Sequence, residues 1–160
     1  WTIAKALLQH EREMIGGMGL GMAGSGGGGT LDQLAKEYCG AESGRIADPV
    51  IRDQVAQHML DSRCFNTTLR RSADEAKSGQ GPGAASSMFK LYGTEMNKRR
   101  YELLVKVLGS QALGWEGEGF NTRELGTTRE WLRSKGNSIE GGTSEVQLNI
   151  IAKRVLGLPD

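Results

Sequence analysis

The residues of this 160-residue chain whose types and spacing could do chemistry fall in two places. Near the start, His10-Glu11-Arg12-Glu13 gathers two carboxylates and a guanidinium into one polar run. Near the end, Glu140-Gly141-Gly142-Thr143-Ser144-Glu145 sets carboxylates on either side of a glycine turn. A carboxylate becomes a useful general base when desolvation lifts its pKa toward neutrality. From spacing alone, Glu11 is a solvated helix side chain pairing with Arg12 or with a residue one turn away, worth about 0.2–0.5 kcal/mol. Glu140 is, in the same way, a turn carboxylate ahead of the last helix, where negative charge is stabilised. Thr143 or Ser144 caps that helix, and the opening turn Thr143 to Val146 offers peptide N–H groups able to hold a polar or anionic group.

The other reactive residue types add little. Cys39 and Cys64 lack CxxC spacing or a nearby His pair, so neither a zinc site nor a disulfide framework is indicated, and they read as partly buried reduced thiols. His10 and His58 stand singly in helical segments, as polar residues at helix edges, and no metal site is expected. Twenty Lys and Arg against 19 Asp and Glu give a net charge of +1. These charges are interspersed, which leaves no electrostatic footprint for nucleic acid. Apolar runs such as Ile150 to Ala152 are far shorter than the roughly 20 residues that span a bilayer, and no basic start precedes an apolar signal core. A soluble cytoplasmic protein without a membrane span is expected.

The elements that must position these residues are helical. Ile3, Leu7 and Met14, with Ala6, recur at amphipathic spacing in an opening helix that fades at Gly16-Gly17. Thr30 and Gln33 have the form of a capping box for a short helix ending near Gly40. Asp48-Pro49 starts a long helix, with Asp as N-cap and Pro at the first position. Ile51, Val55, Met59 and Leu69 mark its apolar face, with Arg52, Asp53, Gln57 and Asp61 opposite. The turn cluster SGQGPG, Ser78 to Gly83, separates it from a second long helix, Ala84 to about Leu108, with Met88, Leu91, Tyr92, Met96, Leu103 and Val107 mostly on one side. A Gly-rich stretch to Gly126 precedes a short helical piece around Trp131 and Leu132. The final helix carries Val146, Ile150, Ile151 and Val155, has Lys153 and Arg154 in its last turn, and closes at Gly157 and Pro159. No window alternates with β-branched enrichment, so no sheet is expected. The fold class is all-α, an antiparallel four-helix-bundle-like domain.

The tail Asn137 to Pro159, NSIEGGTSEVQLNIIAKRVLGLP, resembles the closing segment of the acyl-CoA dehydrogenase family. Two further segments agree in the right order. WTIAKALLQHERE is similar to the first helix of the family's C-terminal domain and ASSMFKLYGTEMNKRRYEL to its third, so the resemblance spans almost the whole chain. It implies that residues 1–160 are one C-terminal helical domain of a longer polypeptide, without the N-terminal helical and middle β domains. The start at Trp1 rather than Met fits such a cut. The implied activity is FAD-dependent α,β-dehydrogenation of an acyl-CoA thioester, in which a carboxylate takes the α proton and the β hydrogen leaves as hydride. Implied partners are the acyl-CoA substrate, a homo- or hetero-oligomer through the bundle, and an electron-transfer flavoprotein.

The family draws its base either from the turn before the GTS segment or from the first helix of this domain. Gapless alignment of Gly142-Thr143-Ser144-Glu145 puts Gly141 where the turn base would stand, and glycine cannot serve. Glu11, in the Glu11-Arg12 pair, is therefore the preferred catalytic base and Glu140, one residue displaced, the alternative. Thr143 and Glu145 correspond to residues against the flavin, while Arg12, Gly141 and Gly142 are assigned to substrate binding. The family's Arg and Phe-Gly pattern is not recognisable in GAESGRIADPVIRDQ, nor its Gln and Gly-Gly pattern in VKVLGSQALGW. Both reach the partner subunit's FAD, so their loss points to a branch in which two different subunits share fewer flavin sites, as in dehydrogenases of bulky acyl-CoAs such as steroid side chains. Two other readings stand beside this one: a non-catalytic helical assembly domain, and a related flavin oxidase.

Overall fold

The computed structural model describes residues 1–4, 7, 30–78 and 85–159. The chain is mostly helical, and its described residues divide into two compact units. One comprises residues 30–62 and 96–135; the other comprises 63–78, 85–95 and 136–159 together with the described residues at the start.

The first unit begins with α1, Leu31–Cys39. As expected, Gln33 closes the start, its side-chain carbonyl accepting the Thr30 N–H at 2.8 Å. The Thr30 hydroxyl donates to Asp32. Beyond Gly40 comes a two-stranded hairpin, β1 (Ala41–Glu42) and β2 (Arg45–Ile46), with Ala41 opposite Ile46 and Glu42 opposite Arg45. The sequence reading expected no sheet. Strands of two residues are too short to register as alternation; the turn makes them, because Ser43 and Gly44 both take positive φ (48° and 76°), the backbone of a two-residue hairpin whose twist matches its strands.

Helix α2, Pro49–Lys77, starts where Asp48-Pro49 predicts. Asp48 Oδ1 accepts the N–H groups of Val50 and Ile51 at 2.8 and 3.0 Å. Helix α3 runs Ala85–Leu108 and passes into a 3₁₀ turn, Gly109–Leu113. In the first unit, Leu31, Leu34, Ala35, Ile46 and Val55 pack with Tyr101, Leu103, Leu104 and Val107 into an apolar core, with Ile51 and Trp131 against it.

Helix α4, Thr122–Ser134, begins well before the position expected around Trp131. The reason is a second capping box: Asn121 Oδ1 accepts the Glu124 N–H at 3.0 Å, and Glu124 Oε2 accepts the Asn121 N–H at 2.7 Å. Gly126 thus lies inside a helix rather than at a breaker. Glu124 is also buried, and its Oε1 takes the Tyr38 hydroxyl at 2.9 Å, tying α4 to α1.

In the second unit, Phe65 packs edge-on against Phe89 and stacks on Tyr92, and Gly93 lets that ring approach: a Cβ there would stand 3.0 Å from Phe65 Cζ. The chain ends in a 3₁₀ turn Lys135–Ser138, α5 (Ser144–Ile150) and a π-helical turn Ile151–Val155. Gly157 takes positive φ just beyond, as a C-terminal glycine should.

Several expected faces differ. Met59, Met88 and Tyr92 are exposed, whereas Phe65, Phe89, Lys90, Thr94 and Tyr101 are buried. Val146 and Val155 are exposed, and α5 buries Gln147 instead. Hydrophobicity alone picks the wrong residues here because α3 and α5 bury polar groups that have hydrogen-bond partners. Trp1, Ile3 and Leu7 of the opening segment are exposed as well; Met14 lies outside the described residues. Cys39 is partly buried as expected, but Cys64 is exposed. Among the described residues no helix is long and apolar enough to cross a membrane, and no group of His, Cys, Asp and Glu could hold a metal ion.

Candidate functional site

The turn between the 3₁₀ segment and α5 holds most of the singled-out residues. Its entry is a tight reversal in which the Ile139 and Glu140 N–H groups both reach the Gly136 carbonyl, at 2.9 and 3.1 Å. Gly141 and Gly142 follow with φ of +65° and +97°. A side chain in this left-handed region costs about 1–2 kcal/mol, so the two glycines are required by the backbone path. Gly142 has a second reason: a Cβ there would stand 2.7 Å from Gln147 Nε2.

The turn is held by three residues of α3 and α5. Lys90, fully buried, donates from Nζ to the Gly142 carbonyl at 2.7 Å. Gln147, also fully buried, donates from Nε2 to the Gly141 carbonyl at 2.8 Å, while its Oε1 has no hydrogen-bond partner. Glu95 Oε1 accepts the Ser138 hydroxyl at 2.9 Å and the Ser144 hydroxyl at 3.5 Å. Sequence reasoning missed this trio. Polar residues inside the apolar pattern of α3 were the available signal: Lys90 and Thr94 lie one turn apart, and the Thr94 hydroxyl donates to the Lys90 carbonyl at 2.9 Å.

At the start of α5, Thr143 rather than Ser144 is the N-cap, its Oγ1 accepting the Val146 N–H at 3.3 Å. Glu145 is fully exposed, and its carboxyl is held below the usual range by its own backbone N–H first and by the Thr143 side chain second. Thr143 and Glu145 therefore stand together at the outward-facing start of α5, where the first peptide N–H groups have no helical acceptor. This donor set suits the polar edge of a cofactor.

Of the sequence-predicted residues, Glu140, Gly141, Gly142, Thr143 and Glu145 thus share one turn and helix start. Glu140 is half-buried and Gly141 buried. Glu11 and Arg12 lie outside the described residues, as does His10.

The helical fold is that of a known domain family. Residues 1–156 match the model of the acyl-CoA dehydrogenase C-terminal domain, and the chain belongs to that family. It is 28% identical over 159 residues to the acyl-CoA dehydrogenase FadE34 of Mycobacterium tuberculosis, covering 99% of this chain but 20% of that protein. The chain thus spans about a fifth of the length of this curated relative. Among solved structures it is similar to a variant of the steroid acyl-CoA dehydrogenase Tcur3481-Tcur3483, with a TM-score of 0.75 at 20% identity, covering 100% of this chain and 40% of that one. It is also similar to the ChsE4-ChsE5 complex of Mycobacterium tuberculosis, with a TM-score of 0.64 at 26% identity, covering 81% and 34%.

Proposed function

We propose that this chain is the C-terminal domain of an FAD-dependent acyl-CoA dehydrogenase that introduces an α,β double bond into an acyl-CoA thioester, with Glu11 as the base. The observation that carries the choice of base is the backbone at Gly141. The position where a turn carboxylate would stand is a buried glycine in the left-handed region, so the turn supplies no side chain there. Glu140, half-buried one residue earlier, is the alternative base.

In this reading a bound FAD would supply the acceptor for the β hydrogen, with Thr143 and Glu145 among the residues that would hold it. The chain's own residues do the rest. The Glu11 carboxylate takes the α proton, its affinity for that proton raised when the acyl chain excludes water. Arg12 and the Gly141-Gly142 backbone hold the thioester, and Thr143 and Glu145 meet the flavin's polar edge. The remaining flavin and substrate contacts come from N-terminal helical and middle β domains of the same polypeptide. The protein works as an oligomer in the cytoplasm and passes electrons to an electron-transfer flavoprotein.

The steroid enzyme and the two-component complex among its structural relatives support a bulky acyl-CoA substrate and two different subunits. The same glycine at 141 favours a second reading, a non-catalytic helical partner within such a heteromer.

The test is acyl-CoA-dependent bleaching of the flavin in the full-length protein, with its partner if one copurifies. Glu11→Gln should slow bleaching about 10²–10⁴-fold with FAD still bound, the size of a lost general base. Glu140→Gln should change it only a few-fold. Loss in Glu140→Gln alone would move the base to the turn. Loss in neither variant would make this domain the non-catalytic partner.

A further inference from the structure

Two consecutive peptide groups of the glycine turn are each gripped by a buried side chain. The Lys90 ammonium is on the Gly142 carbonyl at 2.7 Å, and the Gln147 amide is on the Gly141 carbonyl at 2.8 Å. Both side chains are fully buried, and both come from the unit that holds the turn. Neither grip is cheap. A lysine almost never lies fully buried without a specific partner, and Gln147 keeps its Oε1 without a hydrogen bond to stay in place. What the pair does is hold two named carbonyl oxygens in place.

No cis peptide occurs among the described residues. In a trans peptide the N–H points opposite to the C=O. The N–H of Thr143 therefore points away from Lys90, and the N–H of Gly142 points away from the Gln147 amide. Donation to a carbonyl oxygen polarises the whole peptide, and such polarisation is strongest away from water, so it makes the opposite N–H a better donor. The grip also needs glycine at 142, where a Cβ would displace the Gln147 amide.

We propose that Lys90 and Gln147 are positioning residues for the reaction proposed above, on which this inference rests. They fix the Gly141–Thr143 backbone and strengthen its Gly142 and Thr143 N–H groups as donors to an oxygen that carries or develops negative charge. That oxygen belongs either to the flavin or to the thioester as its α proton leaves. Neither Lys90 nor Gln147 touches it.

The experiment uses the full-length holoenzyme, with its partner if one copurifies, and the variants Lys90→Met, Lys90→Arg and Gln147→Glu. Three quantities are read: the thermal midpoint, the flavin retained after desalting with its visible spectrum, and the single-turnover rate of flavin bleaching by acyl-CoA. If the oxygen is the flavin's, Lys90→Met and Gln147→Glu lose flavin at least tenfold more readily, or shift its spectrum. If it is the thioester's, flavin is retained and bleaching slows at least tenfold at saturating acyl-CoA, with KM little changed. In either case Lys90→Arg recovers part of the loss. Wild-type spectrum and bleaching rate in both variants, with only a lowered thermal midpoint, would overturn the proposal and leave a packing role. Should Lys90→Met fail to fold, Gln147→Glu, nearly unchanged in volume, decides alone. A wild-type protein that binds no flavin or does not bleach sinks the functional reading instead, so the two failures are told apart.

Discussion

The two units differ in what they bury. In the first, Leu31, Leu34, Ile46, Val55, Met96, Leu103, Leu104, Val107 and Leu108 are buried, and the buried carboxylate Glu124 is satisfied by its own helix start and by Tyr38. Among the described residues of the second, the buried apolar side chains are Phe65 and Phe89, while Lys90, Gln147, Ser87 and Thr94 are buried beside them. Burying apolar surface stabilises without regard to direction; burying an ammonium or an amide fixes a particular atom in a particular place. Both units bury polar groups, Thr127, Thr128 and Ser134 joining Glu124 in the first, but the first surrounds them with a larger apolar core, while in the second Lys90 and Gln147 hold the backbone of a turn.

The contrast can be broken most severely in the first unit. Leu104→Ala removes a side chain 4% exposed at the centre of the apolar core and should cost about 2–5 kcal/mol, the range for deleting a buried leucine. The check is the denaturant midpoint of the full-length protein. Where enough protein remains folded, its flavin spectrum should match wild type.

A matched pair of caps sharpens the comparison. Asn121→Ala and Thr143→Ala each remove an N-cap acceptor, from Glu124 N–H and from Val146 N–H, and each should cost about 1 kcal/mol. The costs are alike but the consequences are not. The change at Asn121 should leave bound flavin unaltered, and the change at Thr143 should raise the flavin dissociation constant. Equal flavin affinity in the two would erase the functional distinction between the helix starts.

The smallest effect is acid sensitivity in the first unit. His58 is half-buried in the first unit beside Ser62. Burial first, and the positive charge of Arg100 second, hold its pKa below the ordinary 6.5. The folded state therefore binds the proton less readily than the unfolded chain does. The stability tied to neutral His58 is present above about pH 6.5 and declines as pH falls through the folded value. His58→Gln should flatten the slope of denaturant midpoint against pH between 7.5 and 5.5, with flavin binding untouched.

What could be read from the sequence follows the same division. Local chemistry was legible: Thr30 with Gln33, Asp48-Pro49, and the cap before Val146 each act through atoms a few residues apart, and all lie where the residue types placed them. Asn121 with Glu124 is the same signal, obscured by the glycines around it. Faces were less legible. Met88 and Tyr92 look like core by type but are exposed, and Lys90 looks like surface but is buried, because the partner of Lys90 is a carbonyl 52 residues away. The turn at 140–143 stood out as a motif, but its three anchors come from α3 and α5, and nothing in its own residues names them.

The left-handed glycine at 141 also bears on which residues could stand there. With this backbone, a carboxylate introduced at 141 meets an uphill step of about 1–2 kcal/mol, a sizeable part of the roughly 5–15 kcal/mol that keeps a domain folded. The conformation of this one residue thus sets a cost on any side chain placed at 141 that ordinary backbone would not impose.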